Sequence, residues 1–200
     1  MSDEATLAFY DREASEYVKH FVMGSARWLD PFLDRLKPGS HVIELGCGGG
    51  RDAQHMLERG FSVDMTDGSA SMAAEARKRT GQDVRVLRFE DLDAADAYDA
   101  VWAHASLHHQ PLAGLGDVLQ RVFRATRPGG LFFANYKLGQ GDDRDSFGRL
   151  YSFAPREQLL DLYRQAGWEL DTIEDYRDGG LDKVMRDWIA ITARKPGKNG

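Results

Sequence analysis

The chain has 200 residues, 42% of them hydrophobic and 29% charged, which suits a single domain with a substantial core. Its formal net charge of −6 argues against a broad phosphate-backbone footprint and hence against direct nucleic-acid binding. No apolar run nears the ~20 residues that span a bilayer, the acidic start "MSDEATLAFY" lacks the basic and apolar regions of a secretory signal, and Cys47 has no second cysteine to pair with, so the expected compartment is the cytoplasm.

Residues 1–37 read as a helical cap. Tyr10, Ala14, Tyr17, Val18 and Phe21 recur at helical spacing and mark one face of a helix. Ser2 is the expected cap, with Asp3 and Glu4 as acids in the first turn. Trp28, Leu29, Phe32, Leu33 and Leu36 extend the apolar surface to Lys37-Pro38-Gly39, and Pro31 is expected to open a second helix capped by Asp30.

From residue 41 the pattern alternates. Strand-like runs fall at 41–45, 61–65, 83–89, 98–103 and 130–136, with helical stretches around 51–59, 70–80 and 112–126 between them. After a polar, glycine-bearing stretch at 139–149 comes one more helix, "PREQLLDLYRQAG", with Pro155 in its first turn and Gly167 at its end. Two final strands are expected at 168–176 and 186–194, and the tail 196–200 is expected to be disordered. Strands that alternate with helices imply parallel pairing and a sheet covered on both faces. No repeat or linker divides residues 1–195, so the expectation is one domain.

The segment "HVIELGCGGGRDA" runs from an apolar strand into glycines and then a polar helix start. In an open parallel sheet such a loop lies at the ligand-binding edge, and glycine allows a ligand to touch the backbone. A ligand-free turn would need fewer glycines than Gly46, Gly48, Gly49 and Gly50. A dinucleotide is the obvious competitor, because Asp67 lies about 20 residues on and could grip a ribose. However, the spacing is Gly-x-Gly-x-Gly, with Arg51 where that fingerprint wants its third glycine. Glu44 also points a carboxylate at the loop. A like charge about 5 Å from a pyrophosphate would cost roughly 3 kcal/mol at an effective dielectric of ~20. Asp91 adds an acid at the same edge. A nucleoside ligand with positive charge and no phosphate fits better.

These motifs resemble class I S-adenosylmethionine-dependent methyltransferases. "VIELGCGGG" is similar to their first motif, "FSVDMTDGSASM" to the second, "RFEDLD" to the adenine-contacting region, "YDAVWAHASLHH" to the fourth motif and "RATRPGGLFF" to the turn and strand after it. The resemblance implies a Rossmann-like α/β fold with a central seven-stranded, mostly parallel sheet in the order 3-2-1-4-5-7-6, its last strand antiparallel. It also implies S-adenosylmethionine as cofactor and S-adenosylhomocysteine as product. Carried over by motif, the cofactor residues are Glu44, Gly46, Cys47, Gly48 and Arg51 in the first; Asp67, Gly68, Ser69 and Met72 in the second; then Asp91, Leu92 and Ala103. "FYDREASEY" resembles the family's leading helix, where Tyr10 and Tyr17 would close over the methionine end. Asp67 rather than Asp64 takes the ribose position, because it precedes Gly68-Ser69.

Methyl transfer asks the protein mainly for orientation and water exclusion, with a base only when the nucleophile is protonated. "AHASLHH" departs from the Asn/Asp-Pro-Pro-aromatic motif of enzymes that methylate DNA bases or glutamine. His104 and His108 are the candidate bases, with His109 beside them, although paired histidines here also serve as packing elements. The run Asp142, Asp143 and Asp145 reads as a solvated loop, with no metal site expected. Residues 137–153 are expected to form a lid, with Arg149 and Tyr151 as candidate substrate contacts.

The second half resembles small bacterial methyltransferases of the tellurite-resistance-like and general small-molecule groups, with fainter echoes of tRNA wobble-uridine enzymes. The leading expectation is transfer to a small-molecule acceptor by a monomer or weak homodimer. The alternatives are a tRNA-modifying enzyme and a cofactor-binding domain without independent activity.

Overall fold

Strands and helices alternate from residue 41 onward in the computed structural model, which describes residues 2–20, 26–180 and 183–197. Two helices come first, α1 (Glu4–His20) and α2 (Leu29–Leu33). Then follow β1 (His41–Leu45), α3 (Arg51–Glu58), β2 (Ser62–Asp67), α4 (Ala70–Thr80), β3 (Val84–Val86), β4 (Tyr98–Ala103), α5 (Leu112–Ala125) and β5 (Thr126–Leu138). The chain closes with β6 (Gly141–Arg144), β7 (Leu150–Ala154), α6 (Arg156–Gln165), β8 (Glu169–Gly179) and β9 (Met185–Arg194).

The expected α/β class holds. β3, β2, β1, β4 and β5 lie side by side in that order and pair in parallel. β9 then runs antiparallel to β5, and β8 antiparallel to β9. With β8 and β9 as the sixth and seventh strands, this is the anticipated 3-2-1-4-5-7-6 order. One detail differs: β6 and β7 form an additional ribbon, joined to the end of β5 through Lys137 and Leu138.

Strand parity explains how both faces are buried. Ile43, Val101 and Phe132 face one core with α5 and α6, filled by Val118, Leu119, Leu159 and Tyr163. Their neighbours Val42, Trp102 and Phe133 face the other with α2 and α3, against Leu29, Phe32 and Met56. Trp102 stacks on Phe133, ring centroids 4.2 Å apart.

Several local expectations are corrected. Asp3, not Ser2, caps α1: Asp3 Oδ1 accepts from Thr6 N at 2.8 Å, while Ser2 donates to Glu90. Pro31 sits inside α2, and Asp30 binds His55 and Arg59 instead of capping. The third strand stops at Val86, because residues 89–91 coil into a 3-10 turn. Phe21 and residues 198–200 lie outside the described residues.

Candidate active site

The carboxyl ends of β1, β2 and β4 meet at a cleft of about 220 Å³ roofed by α1. After β1 the chain turns at Gly46 and Gly48, with φ of +73° and +55°, a region that disfavours side chains. Gly46 N and Cys47 N donate to Thr66 O at 2.9 and 2.8 Å, which pins the loop to β2. A Cβ on Gly46 would stand 2.5 Å from that of Ser106.

Asp67 closes β2 and turns into this loop. Its Oδ2 accepts from Gly48 N at 2.9 Å and its Oδ1 from Ser69 N at 2.8 Å. Burial pushes its carboxyl up to about 6, against the pull of those two N–H groups. Asp64, three residues earlier, is held instead by His41 and the Tyr98 hydroxyl and does not line the cleft.

Glu44 is the most exacting residue in the site. It is only 3% exposed, yet it lines the cleft. Its Oε2 has no hydrogen-bond partner among the described residues. A buried carboxyl without a partner costs stability, and more so when ionised. Burial, and then the charge of Asp52, push it well above the usual carboxylate range. Such a group is poised for a ligand that donates hydrogen bonds and carries positive charge.

Over this floor α1 lays Leu7, Tyr10, Tyr17 and Val18. The rings of Tyr10 and Tyr17 meet edge to face at 5.2 Å. Tyr10 is held from behind, receiving a hydrogen bond from Arg149 Nη1 at 3.0 Å and lying 2.9 Å from His109 Nε2. His109 Nδ1 donates to Leu150 O at 2.6 Å, so Nε2 is the acceptor for the Tyr10 hydroxyl. Burial pushes His109 down to about 3.

Of the expected cofactor residues, Tyr10, Tyr17, Glu44, Gly46, Cys47, Gly48, Arg51, Asp67, Gly68 and Met72 line this one cleft. Ser69, Asp91, Leu92 and Ala103 do not. Ser69 is the buried cap of α4, its hydroxyl accepting from Met72 N at 3.1 Å and donating to Asp11. The 3-10 turn leaves Asp91 exposed and sends Leu92 into the core, so Leu87 and Phe89 present the apolar wall at that edge. Ala103 is packed in the core, and Ala105 reaches the cleft in its place.

The candidate bases and substrate contacts divide as well. His104 lines the cleft. His108 is 3% exposed, lies behind it against Tyr151 and Trp188, and is held well below its ordinary range by burial and then by His109. Arg149 and Tyr151 are buried and do not line the cleft. Arg149 is committed to Asp145, with Nη2 2.6 Å from Oδ2. Asp142 is likewise taken up, by Ser152 and Leu112 N, so the acidic run is part of the ribbon's own bonding.

Sequence reading missed Asp52, Ser106, Val18 and Phe89, all in the lining. Asp52 carried a usable signal, because it is the acid in the first turn of α3, just after the glycine loop. Val18 carried none, since its place depends on how α1 crosses the loop.

Comparison with known proteins matches this geometry to a family. Residues 42–130 match the family described as a methyltransferase domain. The chain is 30% identical over 137 residues to malonyl-[acyl-carrier protein] O-methyltransferase of Salmonella typhimurium, an alignment covering 66% of this chain and 53% of that protein. It is 34% identical over 169 residues to trans-aconitate 2-methyltransferase of an Acidovorax strain, covering 80% and 56%. The chain belongs to the class I S-adenosylmethionine-dependent methyltransferases. It spans about half the length of these curated relatives. The methyltransferase fold is matched by the crystal structure of Burkholderia thailandensis 1,6-didemethyltoxoflavin-N1-methyltransferase, with a TM-score of 0.72, 23% identity and coverage of 96% of this chain and 88% of that one. No helix among the described residues is long and apolar enough to cross a membrane.

Proposed function

We propose that the cleft binds S-adenosylmethionine and that the protein transfers its methyl group to a small-molecule acceptor. The observation that carries this reading is the pair of inward carboxyls, Glu44 with its Oε2 unpartnered among the described residues and Asp67 half-satisfied by the loop. Asp67 would take the two ribose hydroxyls, Glu44 the ammonium group, and Leu87 and Phe89 the adenine face. Gly46 and Gly48 would let the ligand lie against the backbone, while Tyr10 and Tyr17 exclude water above it. The bound cofactor supplies an electrophilic methyl on a sulfonium, and the chain's share is orientation and desolvation. The acids that favour this cation also disfavour a dinucleotide. The likeness to trans-aconitate 2-methyltransferase supports a small-molecule acceptor.

Thermal melts separate the readings. S-adenosylhomocysteine should raise the melting temperature by mass action, whereas NAD and ATP should leave it unchanged. A shift with NAD and none with S-adenosylhomocysteine would overturn the proposal.

A further inference from the structure

Asp52 is a buried acid next to the glycine loop, and cofactor binding as described leaves it without a role. Its carboxylate is 4% exposed. Oδ1 accepts from Arg51 Nε at 3.0 Å and Ala26 N at 3.1 Å, and Oδ2 from Trp102 Nε1 at 3.1 Å. His104 Nδ1 lies 3.2 Å from the same Oδ2. A carboxylate only accepts hydrogen bonds, so this contact selects the tautomer with the proton on Nδ1 and the lone pair on Nε2. Nε2 has no partner among the described residues, and the His104 ring borders the cleft. Trp28 and Trp102 flank it at 5.9 and 6.0 Å, which fixes its plane.

From this geometry we infer that His104 is the proton acceptor for a hydroxyl-bearing methyl acceptor, with Asp52 as the residue that positions it. The inference rests on the methyl-transfer reading of the cleft. An acceptor hydroxyl donates to Nε2 as its oxygen bonds the methyl carbon. The carbon–sulfur bond breaks with its electron pair kept by sulfur, which passes from sulfonium to neutral thioether. The imidazolium then gives the proton to water. A carboxylate acceptor arrives deprotonated and has no use for this base. It would also be repelled by Asp52 and Glu44, while Arg51 is already engaged with Asp52.

Two-bond ¹H–¹⁵N correlation spectra of histidine-labelled, ligand-free protein read the tautomer directly, with His104→Gln assigning the signal. The Nδ1–H form is expected in the wild type, reverting toward the Nε2–H form in Asp52→Ala. With S-adenosylmethionine and a panel of phenols, enols, alcohols and carboxylic acids, mass spectrometry should find methyl ethers. Their rate of formation should fall about 100-fold in His104→Gln, with the S-adenosylhomocysteine Kd within threefold of wild type. An Nε2–H wild type, methylation of carboxylates alone, or no methylated hydroxyl compound would each overturn the inference. Failure of S-adenosylhomocysteine to bind the wild type would instead overturn the methyltransferase reading, and leaves the tautomer measurement standing on its own.

Discussion

Glu44 and Asp67 set the pH behaviour of the cleft. Glu44 is pushed well above the carboxylate range by burial and then by the charge of Asp52, so the ligand-free site favours its protonated form more than water does. An ammonium group beside it favours the ionised form and lowers that pKa. Binding should therefore be accompanied by proton release. Calorimetry of S-adenosylhomocysteine binding in buffers of different ionisation enthalpy would measure it, and Glu44→Gln should reduce the release to the share from Asp67.

Asp67 titrates near 6 in the fold, against 3.8 for an ordinary aspartate. A raised pKa means a stability contribution that is present below about 4 and lost as pH climbs through 6. Ribose hydroxyls donate best to the ionised form, so ligand reverses that loss. Through Asp67 alone, affinity for S-adenosylhomocysteine should fall about tenfold from pH 7 to pH 5, and the melting shift it produces should shrink in parallel. Asp67→Ala should cost on the order of 2–3 kcal/mol of binding and remove the inflection near pH 6, while Asp64→Ala should leave both intact.

Helix α1 covers the cleft, and the β6–β7 ribbon, which does not line it, is bonded to α1. Leu150 N donates to Thr6 Oγ1 at 2.8 Å, Arg144 pairs with Asp3 at 2.7 Å, and Arg149 reaches Tyr10 from its buried pair with Asp145. The stretch expected to be a loose lid is thus partly a bonded ribbon, and we propose that it moves with α1. Amides of residues 6–18 and 141–153 should gain hydrogen-exchange protection with S-adenosylhomocysteine, and unchanged protection would remove the lid. Arg149→Met leaves Asp145 buried and uncompensated, a loss of roughly 3–5 kcal/mol measurable by denaturant unfolding. Adding Asp145→Asn should recover part of it.

At the scale of the whole molecule, charge decides among partners. Affinity for nucleic acid comes mainly from basic side chains that displace counterions, and this chain carries a net charge of −6. Its one tight basic cluster is largely spent locally: Arg77 binds Asp83 and the Val84 carbonyl, and Lys78 binds Glu75. Fluorescence anisotropy of labelled tRNA should therefore stay flat with micromolar protein at 150 mM salt. A salt-sensitive rise would revive the tRNA-modifying alternative.

Periodicity and glycine spacing determined the order of strands and helices and the loop after β1, because these follow from local alternation and φ preference, and motif resemblance picked the acid that ends β2. That is why β1 and β4 fall on their expected bounds, while Asp67 rather than Asp64 turns into the cleft as the motif resemblance implied. Only tertiary structure decided the rest. Asp91 and Arg149 look like site residues in sequence, yet a 3-10 turn exposes one and a buried ion pair with Asp145 withdraws the other. Asp52 and His104 meet across 3.2 Å although 52 positions separate them, since β1 and β4 are neighbours in the sheet. Contacts between distant segments depend on how strands pair and helices cross, and no local pattern encodes that.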